Sequence, residues 1–515
     1  MRSGVKSTSP CNGIRLWLAL SLAALVWSVP CEAEDQTGFW HPLKAAFHVH
    51  SQLSTGSDSL DALAAQAKDA GIEAILLTDN YLLRYEYGLY PFRGLIRRTV
   101  EMPSVVALGI DRYLAQVSAA TQRHPDVTFI PGVEVVPHYY WTGSLFRKDL
   151  TMHDAQKNIL VLGLSSERDY VQLPAAGNHG AYEYGWRTVI GLSPVLLIPP
   201  AVWLINHRAD RKVRVGWTFM TVRSRRVGQG ATLLIVASVL LANNYPFATP
   251  HYDLYRDSDG LHPHQDLIDY VHERGGLAVW SMPEGRDFHT FDYGRLGVVT
   301  VKTDPYPDVL QQTTGHTGFG ALYEDTISLT NPGGIWDVVL VEYLQGRRAA
   351  PPWGFGEVAY HGAAHAGKQL YLVEMILWVR NRTSAAILDA MAKGRLYSLR
   401  RTKEYGLVLD DFSVAAEENG LTAISGETLH ATTPGSVAIR LAVSATDAEP
   451  HPTSVQVIRS GRTMAMLNET TPFRAVLRDT VPAAKAGAYY RLMIGSGDHQ
   501  IVTNPIFIKT ATLPP

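Results

Sequence analysis

Apolar and polar positions change period several times along this chain, and the changes mark its parts. Near the start, Ala46-Phe47 runs into His48-Val49-His50, a strand in which residues two apart share a face and both imidazoles point the same way. Leu60, Leu63, Ala64 and Ala67 then recur at helical spacing, and Gly71 stands where a left-handed cap is wanted. Ile72–Leu77 reads as a second, buried strand, followed by Asp79 and Asn80. The unit predicted is strand, helix, strand, an arrangement whose chemistry gathers at strand carboxyl ends.

The same alternation continues to about Leu164. Val127–Ile130 ends in Pro131-Gly132-Val133-Glu134 and Asn158–Leu162 ends in Gly163, an order that predicts a parallel barrel or an open sheet. After an interruption it resumes with a helix over Gln265–Arg274 and a strand over Leu277–Trp280. A strand over Trp336–Val341 ending in Glu342, the run Glu357 to His361, and a helix over Thr383–Lys393 closed by Gly394 complete the pattern. From about Leu407 short alternating runs predict a small all-β sandwich with no grouping of histidines and carboxylates.

The interruption consists of two apolar stretches, Thr188–Ile205 and Gly230–Phe247. Their connection carries Arg208, Arg211, Lys212, Arg214, Arg223, Arg225 and Arg226 against the single acid Asp210, as expected of a cytoplasmic loop between two spans. Pro194, Pro199 and Pro200 weaken the first stretch as a straight helix, and a buried hairpin is the alternative. At the N-terminus Arg2, Lys6 and Arg15 precede an apolar run, Leu16–Val29, and the small-x-small site Cys31-Glu32-Ala33, the pattern of an export signal. The expectation is an exported, membrane-associated protein whose folded parts are extracytoplasmic, in the periplasm or at the cell surface.

Composition narrows this picture. At 515 residues the chain exceeds one compact core, and a net charge of −2 gives no nucleic-acid footprint. Both cysteines, Cys11 and Cys31, lie in the export segment, so its removal leaves no thiol for a nucleophile or metal site. The polar residues at predicted strand ends are His48, His50, Asp79, Glu134, Asn158, Glu342 and His361, with His153 just upstream of one of them. Imidazoles with a bridging carboxylate suit zinc, manganese or iron, and such an ion can acidify water for attack on a phosphate or carbonyl. Two histidines on one face of a buried strand are costly without a partner, which singles out His48 and His50. His138 and His289 read as ordinary surface or loop histidines.

The runs Phe47 to Asn80, Pro131 to Glu134, Gly275 to Trp280 and Tyr360-His361 resemble the PHP (polymerase and histidinol phosphatase) superfamily of metallohydrolases over roughly residues 40 to 400. Tyr489-Tyr490-Arg491 and Asn504-Pro505-Ile506 are similar to the tails of some extracytoplasmic members. The resemblance implies a distorted (β/α)7 barrel in two parts, 40–186 and 248–402. They would be split by a transmembrane hairpin at 187–247, preceded by a signal at 1–33 and followed by the sandwich at 405–515. It implies phosphoester hydrolysis, with His48, His50 and Glu134 as metal ligands, Glu134 as the bridge, and His153 in a region that supplies another. His361 matches the histidine of the last Asp-x-His motif. Asp79 would orient the ligands or act as base, and His361 or an arginine would hold the leaving oxygen.

Departures from the family pattern are specific. Thr78-Asp79-Asn80 replaces Thr-Asp-His, Ser54-Thr55-Gly56 replaces Ser-Asp-Gly, and Ser281-Met282-Pro283 replaces Ala-His-Pro. Ala359-Tyr360-His361 replaces Asp-x-His, and Asn158 stands for a histidine. Three ions are therefore not expected; one, or at most two, would be held by His48, His50 and Glu134, helped by His153, Glu357 or His361. Two functions follow: a membrane-tethered hydrolase of a small phosphoester or ester, or a PHP-fold binding or scaffold protein that has lost catalysis.

Overall fold

The structure is a computed structural model that describes residues 40–294, 297–325, 327–363, 368–418, 420–431, 435–481 and 487–510. The segment read as an export signal, with both cysteines, lies outside the described residues. The strands that position the site are, in chain order, β1 (His41–Val49), β2 (Ala74–Leu77) and β3 (Asp79–Asn80). A hairpin of β4 (Leu83–Gly88) and β5 (Arg97–Met102) comes next, then β6 (Thr128–Ile130), β7 (Gly132–Val135), β8 (Tyr140–Thr142), β9 (Leu150–His153) and β10 (Ile159–Leu162). The helix Leu60–Ala70 forms as its spacing predicts: Ser59 accepts from the Ala62 amide at its start, and Gly71 closes it at φ 71°.

Two apolar helical segments interrupt the α/β pattern. Trp186–Asn206 contains a 3-10 stretch at Ser193–Leu197, beginning one residue before Pro194, and Val227–Asn244 is one continuous helix. Both are long and apolar enough to cross a membrane, and most of their surface is not covered by protein. The basic connection between them is a two-stranded hairpin, β11 (Arg208–Val215) and β12 (Thr218–Arg225). Entry and exit are fastened side by side where Glu183 and Thr249 exchange backbone hydrogen bonds.

The second half adds β13 (Leu277–Trp280), the hairpin β14 (Asp287–Asp292) and β15 (Val298–Thr303), β16 (Gly318–Leu322), β17 (Trp353–Gly356), β18 (Val373–Val379) and β19 (Leu396–Arg400). Pairing runs from β1 in parallel to β2 and β6, whose continuations β3 and β7 pair in the second sheet. That sheet proceeds through β10, β13, β16 and β17. Beyond β17, the Val358 and Tyr360 amides donate to Phe47 and His48 carbonyls, so the pairing returns to β1. The expected all-parallel order needs correction, because β10 runs antiparallel to both neighbours. It is entered from the end where β7 and β13 finish, so Asn158 reaches the site from the start of its strand.

The stretch Trp336–Val341 is a helix, Ile335–Leu344, and not the expected strand. An unbroken apolar run does not distinguish a buried strand from a buried helix, and here Gly334 opens a helix whose Trp336, Val339 and Leu340 are fully buried. The β-rich tail has its own core, with Val414, Ile439, Leu441, Val457 and Leu492 buried in it. Its strand His499–Thr503 pairs with β19, so one of its sheets continues the sheet that holds β1. A buried ion pair joins it to the helix Ile335–Leu344: the Arg491 guanidinium donates to both Asp337 oxygens at 2.8 and 2.7 Å and lies over the Trp336 ring. Removing the guanidinium alone strands a buried carboxylate, so Arg491→Leu is expected to lower unfolding free energy by about 3–5 kcal/mol in urea titrations. A loss below about 1 kcal/mol would contradict this role.

Candidate metal centre

Three side chains that the sequence singles out do converge. Ligand atoms of His48, His50 and Glu134 all lie within 4.8 Å of one another, and the three residues are buried. They meet for a reason that simple alternation does not supply. The β1–β2 register shifts between Phe47 and Val49, and His48 sits in the left-handed region at φ 67°. The resulting bulge re-aims His48 so that its ring lies 5.2 Å from that of His50. Met282 and Ala359, which line the same cavity, also have positive φ, at 35° and 46°. Such conformations cost about 1–3 kcal/mol each and gather where geometry is constrained for use.

Glu357 sits beneath His48. His48 Nδ1 lies 2.8 Å from Glu357 Oε2, which also accepts from Ser281 Oγ at 2.9 Å. Room for this carboxylate depends on Gly320, because a Cβ there would come within 2.2 Å of Glu357 Oε1. The other ring nitrogen, His48 Nε2, faces Glu134 Oε1 at 3.4 Å. Burial alone would lower the basicity of His48, but its hydrogen bonds and charge attraction to Glu134 and Glu357 prevail and raise its pKa to about 9. Burial likewise opposes ionisation of Glu134, yet His48, with His50 and His361, holds it down at about 2.

His50 is in the opposite state. Burial holds its pKa well below the ordinary value, and among the described residues neither ring nitrogen has a partner at hydrogen-bonding geometry. His50 Nε2 is 3.6 Å from Glu134 Oε2. A neutral, fully buried imidazole without a hydrogen-bond partner among the described residues, beside an ionised carboxylate and a histidine whose far nitrogen is anchored on another carboxylate, is a donor set that fits a divalent zinc, manganese or iron ion.

The remaining candidates divide. His361 stacks on His50 with ring centroids 4.0 Å apart, and Thr55 Oγ1 lies 3.3 Å from its Nδ1. Asp79 is fully buried beneath the loop after β1, where it accepts from the Ser51 amide and from the hydroxyls of Ser51 and Ser54. It orients that loop; it is not among the residues lining the cavity. His153 does not join the cluster: it lies on β9, stacked on Tyr140 and bonded to Thr142. Glu342 lies on the helix Ile335–Leu344 and pairs with Arg348 at 3.2 Å. His138 is buried rather than superficial, next to Tyr252, whereas His289 is exposed and pairs with Asp287.

Asn80 and Asn158 contribute in a way the sequence alone does not reveal. Their amide groups donate to opposite oxygens of Glu134, each at 2.7 Å, while Asn80 Oδ1 accepts from Thr55. Above the cluster is a cavity of about 530 Å³, with Tyr306, Gln156, Met282, Arg286 and Asp325 in its walls. That volume suits a small organic substrate or headgroup.

Metal and proton compete for His48 Nε2. With a pKa raised to about 9, the proton on His48 stabilises the metal-free fold fully below pH 6.5, and that contribution is lost as pH rises through 9. Metal affinity measured by calorimetry should therefore climb by up to about tenfold per unit between pH 6.5 and 9. Glu357→Gln should shift this rise to lower pH. An affinity that is flat over the window would contradict the arrangement.

No protein-family model and no curated protein matches the chain. Solved structures are similar to it at low identity. A two-domain protein from Bacteroides vulgatus, containing a predicted PHP-like metal-dependent phosphoesterase, shares 10% identity at a TM-score of 0.34, covering 91% of this chain and 95% of that one. A candidate metal-dependent phosphoesterase from Bifidobacterium adolescentis shares 12% identity at 0.26, covering 63% of this chain and 88% of its own. An amidohydrolase from Chromobacterium violaceum, with sulfate and no metal bound, shares 13% at 0.27, covering 63% and 89%.

Proposed function

We propose that the protein is a metal-dependent hydrolase of the PHP kind, acting on a phosphoester through a reduced, single-ion site. The observation that carries this reading is His50, neutral, buried and, among the described residues, without hydrogen-bond partners, set against Glu134 and His48. A divalent ion held by His48 Nε2, His50 and Glu134 would supply Lewis acidity and a water acidified toward neutral pH. Glu357 fixes the His48 tautomer by accepting a hydrogen bond from Nδ1–H, and Asp79 holds the loop that carries Ser51 and Ser54. Arg286 in the cavity wall is placed to attract the phosphate, and His361 at the rim is the group that gives a proton to the leaving oxygen.

A second reading, a binding or scaffold protein, draws on Asn80 and Asn158. Their donors occupy both oxygens of Glu134 and stabilise that carboxylate without an ion. We also propose that the two apolar helical segments span a membrane, with the cavity on the extracytoplasmic side and the basic β11–β12 hairpin in the cytoplasm.

Elemental analysis of the purified full chain separates the two functional readings. The hydrolase reading expects about one equivalent of zinc, manganese or iron, absent from the His48→Ala, His50→Ala double variant, which should also lose hydrolysis of p-nitrophenyl phosphate. No bound ion after each has been supplied in excess selects the binding protein. For topology, Trp217→Cys, with Cys11 and Cys31 changed to Ser, should react with an impermeant maleimide only after the inner face is exposed. Labelling of intact cells would reverse the assignment.

A further inference from the structure

One hairpin connects the cavity to the apolar helices. In β4–β5 the opposed pairs are Leu83 with Met102, Tyr85 with Val100, and Tyr87 with Arg98, and alternate pairs along a hairpin share a face. Leu83, Tyr85 and Met102 line the metal-site cavity, and Val100, on the same face, is exposed. The opposite face holds Arg84, Glu86, Arg97 and Glu101, which pair among themselves, and the first three border a separate cavity. The hairpin is thus amphipathic, and its apolar face points into the cavity that a polar reaction would occupy.

Its tip continues the apolar surface. Tyr90, Leu95 and Ile96 are exposed, Tyr90 at 82%. Between them the Gly94 amide donates to Asn243 Oδ1 at 3.0 Å, on the last turn of the helix Val227–Asn244. A Cβ at Gly94 would fall 1.9 Å from the Asn243 carbonyl oxygen, so the tip rests directly on that helix end. Across the cavity mouth Arg98 lies over Tyr293, just past β14, with 5.6 Å to the ring centroid. Leu83, Tyr85, Met102 and Val100 run outward from the candidate metal centre, and past Arg98, which turns to Tyr293, Ile96 and Leu95 carry the apolar track on toward the base of the helix pair. Exposed apolar side chains set between a polar pocket and an apolar helix pair suit an apolar occupant.

We propose that the substrate is a membrane lipid phosphoester, its phosphate in the cavity beside Arg286 and its tail along the β4–β5 track. This rests on the hydrolase and membrane readings above and adds the substrate class. The reaction balances as hydrolysis: water oxygen bonds to phosphorus, the bond from phosphorus to the lipid oxygen breaks, and that oxygen leaves with a proton as an alcohol. The product alcohol stays in the bilayer and the phosphate enters solution.

The test uses the full chain in phosphatidylcholine nanodiscs with manganese, soluble p-nitrophenyl phosphate, and phosphatidic acid placed in the disc. The double variant Val100→Glu, Ile96→Glu alters neither a cavity-lining residue nor a candidate ligand. It should keep the soluble rate within about twofold and lose at least about tenfold on phosphatidic acid. A second arm needs no catalysis: a phosphatidic acid analogue with a mid-tail diazirine should photolabel residues 83–102 of the metal-free parent, and much less of the variant. Turnover of the soluble ester with no lipid turnover, an equal loss on both substrates, or photolabelling confined to the apolar helices would overturn the proposal while leaving the hydrolase reading standing. If neither ester is cleaved, the hydrolase reading fails, and the photolabel alone decides whether the track holds a lipid tail.

Discussion

Two buried carboxylates facing one imidazole set the terms for the rest of the molecule. Glu134 and Glu357 flank His48, which carries a proton with a pKa raised to about 9. Burial makes charge expensive unless it is neutralised, and here the charge of Glu134 is met by the His48 imidazolium. A divalent ion in place of that proton would keep Glu134 paired with positive charge. The local backbone conforms to this need. The bulge at His48 turns its ring between the carboxylates, Gly320 leaves room for Glu357, and Asp79 draws down the Ser51–Ser54 loop at the cavity floor.

Holding Glu357 in position is a long-range matter. It follows β17, and the Gly354 amide in that strand donates to Asn504 Oδ1 at 2.7 Å. Asn504 in turn lies in the β-rich tail, whose Arg491 and Tyr489 both bond Asp337. The tail therefore braces the strand that delivers Glu357, although it places no candidate ligand in the site. This explains how motifs near the C-terminus can belong with a centre whose ligands lie hundreds of residues earlier.

Legibility in the sequence followed the range of the forces involved. Local determinants were readable: Ser59 and Gly71 delimit the first helix, Leu277–Trp280 is a strand, and the prolines foretold the broken helix at Ser193–Leu197. His48, His50 and Glu134 could be grouped because each stands at or beside a strand end. The run Trp336–Val341 misled, since burial on all sides erases the period that separates strand from helix. The placement of Glu357, 309 positions from His48, and the antiparallel course of β10 depend on pairings that no local pattern encodes. His153 looked suitable by position, but β9 belongs to a different sheet, with β8, β14 and β15.

Two asparagines fix the carboxylate at the middle of the cluster. Glu134 accepts one amide hydrogen bond on each oxygen, and a carboxylate oxygen so engaged keeps limited capacity for anything else. The second lone pair of either oxygen can still meet an ion, whereas turning the carboxylate away from the asparagines would cost two buried, unsatisfied amides. An ion bound at Glu134 would therefore leave the amide bonds in place. The two asparagines are also not equivalent. Asn80 has its carbonyl oxygen taken by Thr55, whereas the Asn158 oxygen, beside the cavity, is buried without a partner among the described residues. The two asparagines therefore fix the carboxylate, and among the described residues His50 beside it is left without a hydrogen-bond partner.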